Sequence, residues 1–308
     1  MEHGGLAKGI GVGDANVKRT LGLSLGLILS IISMNCDIDS SPPTMEIAGG
    51  WTCESIVLCS EDCEHWNAHG VEVGARAVDL WYPADADAVV DQQIETGNEE
   101  DPFWCYLWPT ARALAQQVFR ASCSPHSRGP ESLQVLETGC GIGLVGLAAL
   151  AAGATTVTFQ DLRSRSVELA LHNACVNEFG DRARGDTFDW RSPPNQTFDW
   201  IIASDVLYHV PAHEALLNFL EGAIAKPRSS SSTRLSDKHP PLTLAELDMA
   251  GSIWIGDPGR QEAGAFIELA QSRFQIQLFD AEGHPLASPN RGDYQLIIMY
   301  PPAYPEYH

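Results

Sequence analysis

The stretch that most constrains the fold is "VLETGCGIGLVGL", from Val135 to Leu147. An apolar run gives way to glycines spaced G-x-G-x-x-G at Gly141, Gly143 and Gly146, and a second apolar run follows. Such spacing marks a tight turn from a strand into a helix, where the backbone can approach a ligand closely. "TTVTFQD" then reads as a second strand ending in Asp161, about 20 residues beyond the first of these glycines, where an acid can accept hydrogen bonds from ribose hydroxyls. At this point three readings stand: a dinucleotide site, an S-adenosylmethionine site, and a tight turn without a ligand.

The flanking pattern alternates. Strands are expected at "LQVLETG", "TTVTFQD", near "RGDTFDW" and at "FDWIIASD", with helices at "GLVGLAALAAG", "RSVELALHNACVNEFG" and "AHEALLNFLEGAIA". Glycines close the first two helices. "FWCYLWPTARALAQQVF" turns helical at Pro109, a residue suited to the first helical position. Strands alternating with helices of this length imply βαβ units and a mostly parallel sheet. "SIWIGDPGR" is a further strand and turn, and "QEAGAFIELAQS" a helix. "FQIQLFD" and "DYQLIIMY" then have no helix between them and are expected as an antiparallel hairpin. The expected fold class is therefore α/β, a Rossmann-like seven-stranded mostly parallel sheet with a C-terminal antiparallel hairpin.

Outside that pattern, "ESIVLCS" and "VEVGARAVDLWYP" read as strands of an N-terminal β extension. The expected organisation is a targeting, disordered or anchoring segment over 1–45, the β extension and an acidic linker over 46–101, and the main domain over 102–308. Within that domain 226–241 is a Ser- and Pro-containing low-complexity insertion. The apolar run 21–34 behind Lys18 and Arg19 resembles a targeting segment and is short for a membrane span, so membrane contact is expected only if it acts as an anchor.

Charge narrows the partners. With 19 basic and 40 acidic residues the formal charge is −21, which argues against gripping nucleic-acid phosphates and favours a basic partner, or simply solubility. The eight cysteines do not read as a disulfide framework, and an intracellular location is expected, cytoplasmic, nuclear or within an organelle. Cys59, Cys63, His65 and His69 fit no standard zinc spacing, so no metal is expected.

Three features favour S-adenosylmethionine over NAD. The glycine series starts early, as Glu137-x-Gly139-x-Gly141-x-Gly143, and its strand-borne acid suits a cofactor that carries an ammonium group. The chain closes on an antiparallel pair. Asp205 ends the fourth strand, at the carboxyl edge where open α/β sheets place ligands. From Phe103 to Tyr300 the chain resembles the seven-strand protein-lysine methyltransferases that act on chaperones, calmodulin and the electron-transfer flavoprotein β subunit (methyltransferase family 16). The resemblance rests on "FWCYLWPTARALA", "VLETGCGIGLVGLAAL", "FQDL", "FDW" at Phe188–Trp190 and "ASDVLYH", and "GDPGR" at Gly256–Arg260 looks like the flavoprotein-methylating branch.

That resemblance implies roles. Trp108 would lie against the cofactor pocket, or be a core tryptophan. Glu137, Gly139, Cys140 and Gly141 would form the loop around the methionine portion and ribose. Asp161 would take the ribose hydroxyls, or cap the helix after it. Trp190 would stack on adenine, or pack its own loop, and Ser204 would present backbone groups. Asp205 and Tyr208 form the family's D-x-x-Y motif: Asp205 would orient the incoming ammonium, with that ammonium or the nearby sulfonium offsetting its burial, and Tyr208 would line the channel. A lysine of pKa ~10.4 is neutral only about once in 2,500 molecules at pH 7, so the site must help it shed a proton. His209 could accept that proton or be a surface histidine; Asn173 could face the site or the surface. The implied partner is a protein presenting a lysine, met by a monomeric enzyme. Methylation of a small amine, nicotinamide-dependent redox chemistry and non-catalytic binding remain as alternatives.

Overall fold

A computed structural model describes residues 41–59, 75–97, 101–123, 130–225 and 243–302. All of them fall in one unit, Ile31–His308, of the two into which the chain divides. The apolar run at 21–34, the insertion at 226–241 and the residues Cys63, His65 and His69 lie outside the described residues. Among the described residues no helix is long and apolar enough to cross a membrane.

An antiparallel hairpin comes first, β1 (Trp51–Leu58) paired with β2 (Arg76–Pro83). It is the expected β extension. The acidic stretch behind it is not a plain linker, because it contains the helix α1 (Ala86–Glu95), whose first turn is capped by Asp85 accepting from the Ala88 N–H. The helix α2 (Pro109–Cys123) then starts at its proline.

The main sheet follows. β3 (Gln134–Thr138), α3 (Leu144–Ala151), β4 (Thr156–Asp161), α4 (Ser164–Val176), β5 (Ala183–Thr187), β6 (Trp200–Ser204), α5 (His213–Ala223), β7 (Ser252–Asp257), α6 (Gln261–Ala270), β8 (Gln275–Phe279), β9 (Pro285–Leu286) and β10 (Gln295–Tyr300) succeed one another. The strand order is β5-β4-β3-β6-β7-β10-β8-β9. β3 to β7 are parallel, while β10 runs antiparallel between β7 and β8. Seven strands form the body, and the two-residue β9 adds an eighth at the edge that two residues of sequence do not announce. α4 ends earlier than its closing glycine suggests, at Val176, and Glu178 takes the left-handed conformation.

The core lies on both faces of this sheet, as parallel strands covered by helices require. Along β6, Trp200 and Ile202 join the cluster under α2 and α3, while Ile201 and Ala203 join the one under α5 and α6. The period of two repeats in β10 with Leu296 and Ile298 against Ile297 and Met299.

Asn173 and Asn177, one turn apart on α4, dock the hairpin. The Asn173 amide accepts from Trp81 N–H (2.8 Å) and donates to Trp81 C=O (3.0 Å), and Asn177 does the same at Asp79 (2.8 and 2.7 Å). Asn173 Nδ2 also donates to Ile142 C=O in the glycine loop at 3.0 Å. Asn173 is therefore a fully buried tie between hairpin and loop, neither a surface residue nor a site residue.

Candidate active site

The carboxyl ends of β3, β4 and β6 open into a cavity of about 780 Å³. Every residue singled out from the sequence lines it: Trp108, Glu137, Gly139, Cys140, Gly141, Asp161, Trp190, Ser204, Asp205 and Tyr208.

The loop between β3 and α3 is braced from below. Glu137 is 2% exposed, and its Oε2 accepts from the Gly146 N–H at 2.9 Å. A Cβ at Gly146 would lie 2.5 Å from the Phe159 ring and 2.6 Å from that oxygen, so only glycine lets the carboxylate approach. Burial pushes Glu137 up to about 8 against the pull of the Gly146 and Val145 amides. At the other end, Asp161 accepts from Gly141 N–H (3.1 Å) and Arg163 N–H (3.0 Å), holding the loop to the start of α4. It thus serves the turn before α4, with the Leu162 backbone and the Ser166 side chain also bonded to its carboxylate. Gly139 sits at φ +63°, where a Cβ would meet Val206 at 2.6 Å.

One residue here escapes sequence reasoning. The buried Ser166 hydroxyl on α4 donates to Gly141 C=O at 2.7 Å and lies 3.6 Å from Cys140 Sγ. Burial raises the Cys140 thiol well above its ordinary range, so it is a neutral packing group. Cys53, Cys59 and Cys105 are also free thiols, whereas Cys175 is disulfide-bonded, a departure from the expected set of thiols.

Trp190 is fixed by the strand ends. Its Nε1–H donates to Thr138 Oγ1 at 2.8 Å and lies 3.3 Å from Gln160 Oε1, which itself bonds the Thr138 hydroxyl. The indole is a rigid wall, the kind of surface on which a flat ring can stack. Opposite, Phe103, Tyr106 and Trp108 pack with centroids 5.2–6.5 Å apart, and Trp108 Nε1–H donates to Phe103 C=O at 3.3 Å.

Asp205 is 6% exposed and stands at φ +59°, strained for a residue with a Cβ but tolerated by aspartate. The expectation that an incoming ammonium offsets its burial needs correction. A cation from the chain itself is there: Arg260 Nη2 donates to Asp205 Oδ1 at 2.8 Å. Arg260 lies in the Gly256–Arg260 segment, whose string "GDPGR" was the available signal, though nothing local pairs it with a residue 55 positions earlier. Tyr208 is half-exposed and donates to Asp101 Oδ2 at 2.6 Å, a link from the acidic stretch to the channel wall that the sequence also hides. Burial and Asp101 together push the Tyr208 phenol above its ordinary range, so it stays protonated. His209 is exposed at the cavity wall.

The donor set suits S-adenosylmethionine: a loop held for close approach, acids at two strand ends, an indole wall, and a cavity large enough for a nucleoside with its amino-acid arm. A doubly wound sheet with this strand order, this loop and a reversed strand beside β7 is a Rossmann-like fold. Residues 92–233 match the model of the family described as lysine methyltransferase.

Similar proteins carry related names. The "Protein N-terminal and lysine N-methyltransferase EFM7" of Cryptococcus neoformans is 29% identical over 159 residues, 47% of this chain and 50% of that relative. The "Histidine protein methyltransferase 1 homolog" of Dictyostelium discoideum is 38% identical over 94 residues, 28% of this chain and 30% of that relative. The chain thus spans at most about half the length of these relatives' sequences. A TehB-like SAM-dependent methyltransferase from Corynebacterium glutamicum superposes with a TM-score of 0.43 at 16% identity, covering 71% of this chain and 100% of that one, too loosely to bear on function.

Proposed function

We propose that this chain transfers a methyl group from S-adenosylmethionine to a lysine side chain of another protein. One observation carries the reading. The glycine loop, the two acids that brace it, and the Asp205–Tyr208 pair all open into a single cavity at the carboxyl edge of the sheet.

When bound, S-adenosylmethionine supplies a methyl group made electrophilic by a sulfonium. The remaining work falls to this chain. Glu137, Asp161 and Ser166 hold the loop that would receive the methionine arm and ribose. Trp190 offers its face to the base. Phe103, Tyr106 and Trp108 keep water from the acceptor end. Asp205 supplies negative charge there, and the neutral Tyr208 phenol, anchored on Asp101, lines the channel. Two reactants held in register remove much of the entropic barrier, worth up to ~7–11 kcal/mol in well-oriented systems.

The relatives' names include lysine, N-terminal and histidine acceptors, and the Gly256–Arg260 segment points towards a flavoprotein-type acceptor. Labelled S-adenosylmethionine in a cell extract should mark a discrete protein band that Asp205→Ala abolishes, with mass spectrometry placing the methyl on lysine. Label confined to small molecules, or a methyl on histidine or an N-terminal amine, would refute the lysine assignment. An intracellular setting belongs to the same proposal and is supported by the free thiols, with Cys175 as the exception.

A further inference from the structure

Arg260 is more than a surface cation that happens to meet Asp205. Its guanidinium bridges two carboxylates, donating from Nη2 to Asp205 Oδ1 at 2.8 Å and from Nη1 to Asp257 Oδ2 at 3.3 Å. Its backbone N–H donates to Asp257 Oδ1 at 2.8 Å, which fixes the turn between β7 and α6. The Asp205 N–H in turn donates to Gly256 C=O at 3.0 Å, tying the two strand ends together. Asp257 is fully buried, and among the described residues Arg260 is the cation its side chain meets, while Asp205 Oδ2 is buried with no hydrogen-bond partner among them. One guanidinium thus serves two buried carboxylates at the edge of the cavity.

We propose that Arg260 is a positioning residue for methyl transfer, holding the Asp205 carboxylate in place at the end of β6 and aimed towards the acceptor amine. The amine's part in this rests on the proposed function; the hold on Asp205 does not. Arginine suits the task because one planar fork reaches two carboxylates that lysine could serve only as a single point charge.

The groups around Asp205 fix the sign of the effect. Burial raises it and so does Asp257 on β7; the Arg260 guanidinium and the Thr110 hydroxyl on α2 lower it. Tyr294 ahead of β10 also faces it, a neutral phenol whose hydroxyl donates to Gln117 Oε1. Burial outweighs these even with Arg260 in place, and without the guanidinium Asp205 would be raised further.

The test is a ¹³C NMR titration of the Asp205 carboxyl carbon in the full-length chain, assigned with Asp205→Asn, which asparagine's tolerance of the left-handed conformation allows. Arg260→Met should raise the midpoint by about 1–3 pH units. Arg260→Lys should recover part of that shift, and serves alone if the Met variant does not fold. The acidic limb of kcat/KM for the protein acceptor should move by the same amount, with affinity for S-adenosylmethionine changed less than about twofold. An unmoved midpoint in a folded Arg260→Met protein, or a Lys variant that shifts as far as the Met variant, overturns the proposal. So does an activity loss with no movement of the acidic limb, which would mark a purely structural turn. If the wild type methylates no protein while the titration behaves as stated, the functional reading fails and Arg260's hold on Asp205 survives.

Discussion

Replacing Glu137 by glutamine tests the physical account of the glycine loop. The carboxyl is raised from 4.5 to about 8 by burial, so between those values the folded chain keeps a proton that the unfolded chain has released. The wild type therefore loses stability as pH rises through that window and levels off above it. At 1.36 kcal/mol per unit the full loss is about 3–5 kcal/mol. Glutamine keeps an acceptor for the Gly146 N–H but does not titrate. Urea unfolding of both proteins from pH 5 to 9 reads the difference, with all other groups cancelling in the comparison. The curves should lie close together near pH 5 and separate in favour of Glu137→Gln by pH 9, by roughly 1–2 M in midpoint for a slope near ~3 kcal/mol/M. Parallel curves across the whole range would show that Glu137 is solvated or already charge-paired, and the burial argument would fall.

Three further outcomes follow from the same geometry. Gly146→Ala forces a methyl against Phe159 and Glu137 and should cost about 1–3 kcal/mol by thermal unfolding, with weakened binding of S-adenosylmethionine. Asn173→Ala removes bonds to Trp81 N–H, Trp81 C=O and Ile142 C=O; it should cost about 2–4 kcal/mol and speed hydrogen exchange at the Trp81 amide. Trp190→Phe keeps a flat ring and should bind S-adenosylmethionine within about threefold of the wild type, whereas Trp190→Ala should weaken it about tenfold by calorimetry.

What was legible in the sequence is what is encoded locally. β3, α3 and β4 follow from apolar runs broken by glycine, and the reversed β10 follows from two strands with no helix between them. Asp161 and Asp205 could be named because carboxyl edges collect ligands, a rule that works strand by strand, whereas Trp108, Trp190, Ser204 and Tyr208 came from the family resemblance. What stayed hidden is pairing at long range. Asp101 reaches Tyr208 across 107 positions and Arg260 reaches Asp205 across 55, and neither distance leaves a mark on composition or period. α1 was hidden differently: its acids read as a solvated run, although Asp85 ahead of helix-forming alanines is a capping signal. Asn173 was undecidable because an asparagine on a helix looks alike whether it meets water or a backbone.

That asparagine, with Asn177, has a consequence beyond holding the hairpin in place. A two-stranded ribbon normally exposes an outer row of backbone donors and acceptors that can recruit a strand from another molecule. Here two carboxamides spaced by one helical turn imitate a neighbouring strand, occupying the N–H and C=O of both Asp79 and Trp81. The helix thereby closes the ribbon's edge at those positions. A mutation that loosened this pairing would do more than lower stability: it would uncover a template for self-association on a protein otherwise kept apart by its charge.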